Sequence, residues 1–138
     1  MGLSYLLDTN IISEPTKQIP NSNVLQKLAQ HNGQYAISSI TWHELNYGVD
    51  KIPEGKKKRL LQQYLYTLEK NHLPILPYDK TAARWLAQER YRLVASGQTP
   101  AKEDSEIAAI AVCNRLILVT RNTGDFKLFK GLILENWF

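Results

Sequence analysis

Ser4-Tyr5-Leu6-Leu7-Asp8-Thr9-Asn10 carries a short apolar run that stops abruptly at a carboxylate. A run of this length bounded by polar residues predicts a buried strand, Ser4 to Leu7, with Asp8 at its carboxyl end. The same grammar recurs downstream. Tyr35-Ala36-Ile37-Ser38 predicts a second strand, and Glu44 follows within two helical turns; Ile117-Leu118-Val119 predicts another, with Asp125 soon after its end. Ile75-Leu76, between Pro74 and Pro77, and Leu132-Ile133-Leu134 predict two more short strands. Helical patterns fill the intervals: Asn21 to His31, Thr41 to Val49, the Leu60 to Leu68 stretch behind Lys56-Lys57-Lys58-Arg59, and a long helix through Ala82 and Val94 ended by Gly97. The helices at Thr41 and Leu60 read as a hairpin, and a further helical unit starts after Pro100. Strands alternating with helices throughout predict a three-layer α/β/α domain with a central, mainly parallel sheet, occupying residues 1–138 as one unit.

That topology places the acids. In a parallel sheet each helix begins at the carboxyl edge of the strand before it and runs back antiparallel, so strand C-termini and helix N-termini share one rim. Asp8, Glu44 and Asp125 follow strands, and Asp104 opens the helix that feeds the Ile117 strand. Four carboxylates at one rim repel one another and hold their protons more tightly unless a cation lies between them. Oxygen-only ligands suit a hard divalent ion, Mg²⁺ or Mn²⁺, that retains several waters.

The charge balance favours a polyanionic partner such as nucleic acid. The chain has 17 Lys and Arg against 13 Asp and Glu, a net +4, and neutralising the four rim acids would leave the remaining surface markedly basic. With 43% hydrophobic residues and no long apolar stretch, it is expected to be a soluble, cytoplasmic protein with neither a signal peptide nor a transmembrane helix. The single cysteine, Cys113, lies in an apolar helical pattern and is expected to be a small buried hydrophobe. His31 and His72 are expected at the surface.

Each acid also has a structural reading. Asp8 can cap a helix after its strand, Asp104 can complement a helix dipole, and Thr41-Trp42-His43-Glu44 has the form of a capping box in which Glu44 returns to the Thr41 N–H. Other catalytic patterns are excluded by single positions. His43-Glu44 begins a zinc-protease motif, but Tyr47 stands where its second histidine belongs. Asn10 replaces the second aspartate of a phosphatase D-x-D pair, although Asp79 follows the Ile75-Leu76 strand. No glycine-rich phosphate loop and no G-x-S-x-G elbow is present.

Taken together, Asp8-Thr9-Asn10 after a strand, Thr41-x-x-Glu44-Leu45-x-Tyr47-Gly48-Val49, Asp104-x-x-Ile107-Ala108-Ala109-x-Ala111, Thr120-x-Asn122-x-x-Asp125-Phe126 and Glu135-Asn136-Trp137 resemble the PIN-domain family, specifically its VapC-type toxins from prokaryotic toxin–antitoxin systems. The resemblance spans essentially the whole chain. It implies a PIN fold, an Mg²⁺- or Mn²⁺-dependent endoribonuclease, a homodimer, and inhibition by a cognate VapB-like antitoxin. Asp8, Glu44 and Asp104 match the family's acidic core. Some PIN proteins place an acid two residues after the threonine; here that position is Asn122, so either Asp125 takes the fourth role or the site has three strong ligands.

The implied chemistry is hydrolysis of an RNA phosphodiester at a metal held by Asp8 and Asp104, with Glu44 and Asp125 binding a second metal or holding its waters. Thr9, Thr120 and Asn122 are assigned to orienting carboxylates or a phosphate oxygen. Arg121 and Lys127, beside the fourth acid, and Lys102, beside the third, are the candidate RNA contacts; the Lys56 to Arg59 run is read as a solvated helix face. Trp42, Leu45, Tyr47, Leu61, Tyr64, Leu65 and Leu68 offer an apolar groove for an antitoxin segment, or else pack the helices or a dimer. The alternative function is a PIN-like RNA- or protein-binding module without catalysis, which metal-dependent cleavage would exclude.

Overall fold

A computed structural model describes residues 2–138. Five strands, β1 (Tyr5–Leu7), β2 (Tyr35–Ser38), β3 (Ile75–Leu76), β4 (Ile117–Val119) and β5 (Leu134–Glu135), form one sheet in the order β3-β2-β1-β4-β5. Every pairing is parallel, with Tyr5 opposite Tyr35 on one side of β1 and opposite Ile117 on the other. Six α-helices, α1 (Thr9–Ile12), α2 (Ser22–Gln30), α3 (Ser39–Asp50), α4 (Lys56–Lys70), α5 (Lys80–Ala95) and α6 (Lys102–Cys113), connect the strands.

Strand pleating divides the core in two. Leu6, Ala36 and Leu118 point to one face, where Leu86 and Leu93 of α5 and Ile107 to Ala111 of α6 pack with Phe126 and Phe129. Leu7, Ile37 and Val119, one residue on, point to the other face and meet Ile11, Ile12, Val24, Leu28, Leu45, Val49, Leu65 and Trp137. Leu6, Leu7 and Leu118 are fully buried, and each such side chain stabilises the fold by roughly 1.5–3 kcal/mol. The small residues Ala108, Ala109 and Ala111, all with no exposure, let α6 lie close to both sheet and α5.

The layering follows from chain direction. From β1 the chain steps to β2 and β3 with α1 to α4 on one face, then reverses across the sheet to β4 with α5 and α6 on the other, as right-handed crossovers require. The reversal leaves connections diverging from β1 and β4, neighbours in the sheet, and opens a crevice at their carboxyl ends. Gly97, at φ +83°, ends α5, and the Gln98 N–H returns 2.8 Å to the Leu93 carbonyl.

Several boundaries differ from the sequence expectation. Helix α3 begins at Ser39, because Ser38 is both the last residue of β2 and the N-cap, its hydroxyl accepting from the Thr41 N–H at 3.0 Å. The final strand is Leu134–Glu135 rather than Leu132 to Leu134, since its register is fixed by Leu118 opposite Leu134 and Val119 opposite Glu135. His31 is not a free surface residue: it stacks on Trp137 at 5.5 Å and lies 4.8 Å from the Tyr5 ring. Cys113 is half-buried rather than buried. Among the described residues, no helix is long and apolar enough to cross a membrane.

Candidate active site

Asp8 sits at the crevice between β1 and β4. Its N–H donates 2.9 Å to the Val119 carbonyl, continuing the strand pairing by one residue. Its Oδ1 accepts from the Thr9 N–H at 2.8 Å and caps α1, while Oδ2 accepts from the Thr120 hydroxyl at 2.8 Å. Thr120, fully buried, also accepts from the Asn122 N–H at 3.1 Å. Asp8 is therefore a cap and a fixed carboxylate at once. Burial pushes its carboxyl up, the two hydrogen bonds pull it down, and the nearby Asp125 charge adds to the rise.

A cleft of about 380 Å³ opens over Asp8 and is lined also by Glu44, Asp104, Thr9, Asn10, Arg121 and Asn122. Three of the four acids thus share one cavity. Asp104 stands in the first turn of α6, where Ala101 provides no side-chain cap. Its carboxyl is pushed up to about 6, first by burial and then by the charges of Asp8, Asp125 and Glu103. Asp125 is exposed on a 3₁₀ turn, Thr123–Asp125, and does not line the cleft, yet lies near enough to act on both aspartates.

Glu44 is freed from its structural explanation. With Ser38 as the N-cap, Thr41 is the third helical residue and Glu44 the sixth, beyond reach of a capping box. It is exposed and directed at the cleft. Asp79, the candidate of the phosphatase reading, is instead the N-cap of α5, accepting from the Ala82 N–H at 2.9 Å.

The cationic candidates separate. Arg121 lines the cleft, its N–H bonded 3.1 Å to the Asn10 side-chain oxygen. Lys102 lines two neighbouring depressions rather than the acid cleft, and Lys127 is exposed outside it. Sequence reasoning missed Lys17 and Phe138, which also line the cleft. Neither carried a signal, because Lys17 follows a 3₁₀ turn and Phe138 follows the last strand, and loop paths are not periodic.

The donor set fits a hard cation. Among the described residues the ion pairs are Lys58–Glu54 and Arg92–Glu89, so none of the four acids has a basic partner. Among the described residues, no three His, Cys, Asp or Glu side chains are grouped so as to hold a metal ion by themselves, so any ion here would complete its coordination with water. An open, carboxylate-lined cleft suits Mg²⁺ or Mn²⁺, which keep much of their water, better than a metal needing a full protein cage.

Metal-free protein carries a pH signature of this crowding. Asp104 titrates near 6 in the folded state and near 3.8 when unfolded, so between these values the native state binds more protons. Stability contributed by this group is present below that window and is lost as pH rises through about 6. In chelator, the melting temperature should fall as pH is raised from about 4 to about 6, and the fall should be smaller in Asp104→Asn. Equal slopes in the two proteins would contradict the crowding.

Comparison with known proteins places the fold. A PIN domain family model matches residues 5–132. The chain belongs to the PIN domain family. Toxin FitB of Neisseria gonorrhoeae is 37% identical, over 96% of this chain and 97% of its own. Ribonuclease VapC2 of Rickettsia felis is likewise 37% identical, over 96% of this chain and 97% of its own. The crystal structure of VapBC2 from Rickettsia felis bound to a DNA fragment from their promoter superposes with a TM-score of 0.80 at 36% identity, covering 100% of both chains. In this PIN domain the acidic cleft lies at the β1–β4 crevice.

Proposed function

We propose that the chain is the toxin of a type II toxin–antitoxin system, an endoribonuclease that hydrolyses RNA phosphodiester bonds and is held inactive by a VapB-like antitoxin. The observation that carries the reading is the meeting of Asp8, Glu44 and Asp104 in one cleft without a basic partner. Likeness to a toxin and a ribonuclease across nearly the whole chain supports it.

Asp8, Asp104 and Glu44 would hold Mg²⁺ or Mn²⁺ in the cleft. When bound, such an ion lowers the pKa of a coordinated water and offsets charge accumulating on the phosphate oxygens. Thr120 and the Thr9 N–H lock Asp8 in one orientation, so its carboxylate needs no rearrangement during reaction. Glu44, exposed in the cleft, accepts hydrogen bonds from water there, and Asp125 supplies negative charge from the rim. Lys17 faces the same cavity and attracts the RNA backbone, and Arg121 adds positive charge at its edge. Water adds at phosphorus, one P–O ester bond breaks, and the water's proton leaves toward the carboxylates while the departing oxygen is protonated from solvent.

Glu44→Gln separates this role from a structural one. The side chain makes no cap, so its amide should leave the melting temperature within a degree or so while RNA cleavage falls by about a hundredfold or more. Undiminished cleavage would remove Glu44 from the site.

The partner has a plausible seat. A groove of about 210 Å³ runs between α1, α3 and α4, lined by Leu45, Gly48, Val49, Leu61, Tyr64 and Leu65, and it shares Thr9, Ser13 and Glu44 with the acid cleft. An antitoxin segment laid there would bring a basic side chain to the carboxylates. Tyr47 does not contribute: it is 58% exposed, stacked with His43 and Lys51 on the outer side of α3.

A further inference from the structure

Among the described residues, Arg121 is the only one lining the cleft whose charged group already rests on an aromatic ring. Its guanidinium carbon lies 4.3 Å from the centroid of Phe138. Both partners are anchored from behind. The Arg121 backbone N–H donates 3.1 Å to the Asn10 side-chain oxygen, and the Phe138 backbone N–H donates 3.0 Å to the Asn136 side-chain oxygen. The preceding Trp137 is buried, with its indole N–H on Glu135 at 2.9 Å and its ring against Tyr5 and His31. The arginine itself is exposed, so the side of the guanidinium away from the ring faces the cleft and solvent.

A phosphate contact needs charge and does not need a ring beneath it. Lys17 already brings a flexible point charge to the cavity. A planar cation fixed over an aromatic ring is, in contrast, a surface on which a nucleobase stacks, and stacking requires a base that has left its duplex partner. The interaction also escapes the repulsion that the carboxylates impose on phosphates, because a base is uncharged.

We infer that Phe138 and Arg121 form a base-stacking subsite, in which the guanidinium held over the ring receives an unpaired nucleobase of single-stranded RNA beside the acid cleft. The inference rests on the ribonuclease reading for its location and extends it to the two residues of this chain that receive the base.

The test uses the full chain carrying Asp104→Asn, so that RNA persists, and a short single-stranded oligoribonucleotide bearing a fluorescent adenine analogue quenched by stacking. Arg121→Lys, which keeps the charge and loses the plane, and Phe138→Leu, which removes the ring, should each weaken binding about tenfold. Quenching should be lost in both, and the slope of affinity against salt should stay as in the parent. The same oligoribonucleotide annealed to its complement should bind more weakly to the parent and show no difference among the three proteins. Arg121→Lys is a surface change; circular dichroism confirms that Phe138→Leu remains folded. If Arg121→Lys binds and quenches like the parent, while Arg121→Gln lowers the salt slope by about one, Arg121 is a phosphate contact and the subsite is overturned. Failure of the nuclease reading is seen separately, as undiminished cleavage by Asp104→Asn.

Discussion

Asp8→Asn should fold as the parent does and cut RNA at least about a thousandfold more slowly, the loss expected when several kcal/mol of charge stabilisation is withdrawn from a hydrolytic site. The substitution is close to isosteric. An asparagine oxygen can still accept from the Thr9 N–H, and asparagine caps helices as well as aspartate does. The other side-chain atom becomes an N–H₂ that donates to Thr120, whose hydroxyl turns to suit. In chelator the variant should melt no lower than the parent, because one of the charges that pushes up Asp104 has gone. Cleavage rate and melting curve on one preparation decide the matter. A variant that cuts at the parental rate would show that the cleft is not where RNA is hydrolysed.

The second large effect concerns control. Gly48 lines the apolar groove from the middle of α3, and a Cβ built there meets no atom within 4 Å. Gly48→Phe should therefore fill the groove without disturbing the helix. It should cut RNA as the parent does, yet be inhibited by the antitoxin at least about thirtyfold less well, the loss typical of a blocked hot-spot pocket. Co-expressed with its antitoxin, this variant should stop growth where the parent does not. Gly48→Ala serves as the control, since it adds about 0.5–1 kcal/mol of helix stability and little bulk. Full inhibition of Gly48→Phe would remove the groove as the docking site.

Much of the architecture was legible because short apolar runs ended where the hydrogen-bonded strands end, as at Tyr35–Ser38 and Ile117–Val119. β5 was displaced because edge-strand register depends on β4, which local hydrophobicity does not reveal. The start of α3 was misplaced for a related reason. Thr41 and Glu44 have capping-box spacing, but Ser38 ends a strand and starts a helix with no intervening loop, which moves the cap three residues upstream. The convergence of Asp8, Glu44 and Asp104 followed from topology alone, since parallel strands and their helices must share a rim. How deeply each acid sits did not follow. Asp8 is buried by β4 and Asp125 is left exposed by its 3₁₀ turn, and both outcomes depend on loop geometry.

The bond from Thr120 to Asp8 also joins residues 112 apart in sequence. β1 is the first strand to be synthesised, but the partner that completes its carboxyl end arrives only after all six helices and the switch across the sheet. Contacts of such separation form late in folding. The residues of the groove, on α1, α3 and α4, are therefore all synthesised before β4, so the lock on Asp8 is the last part of this end of the molecule to be completed.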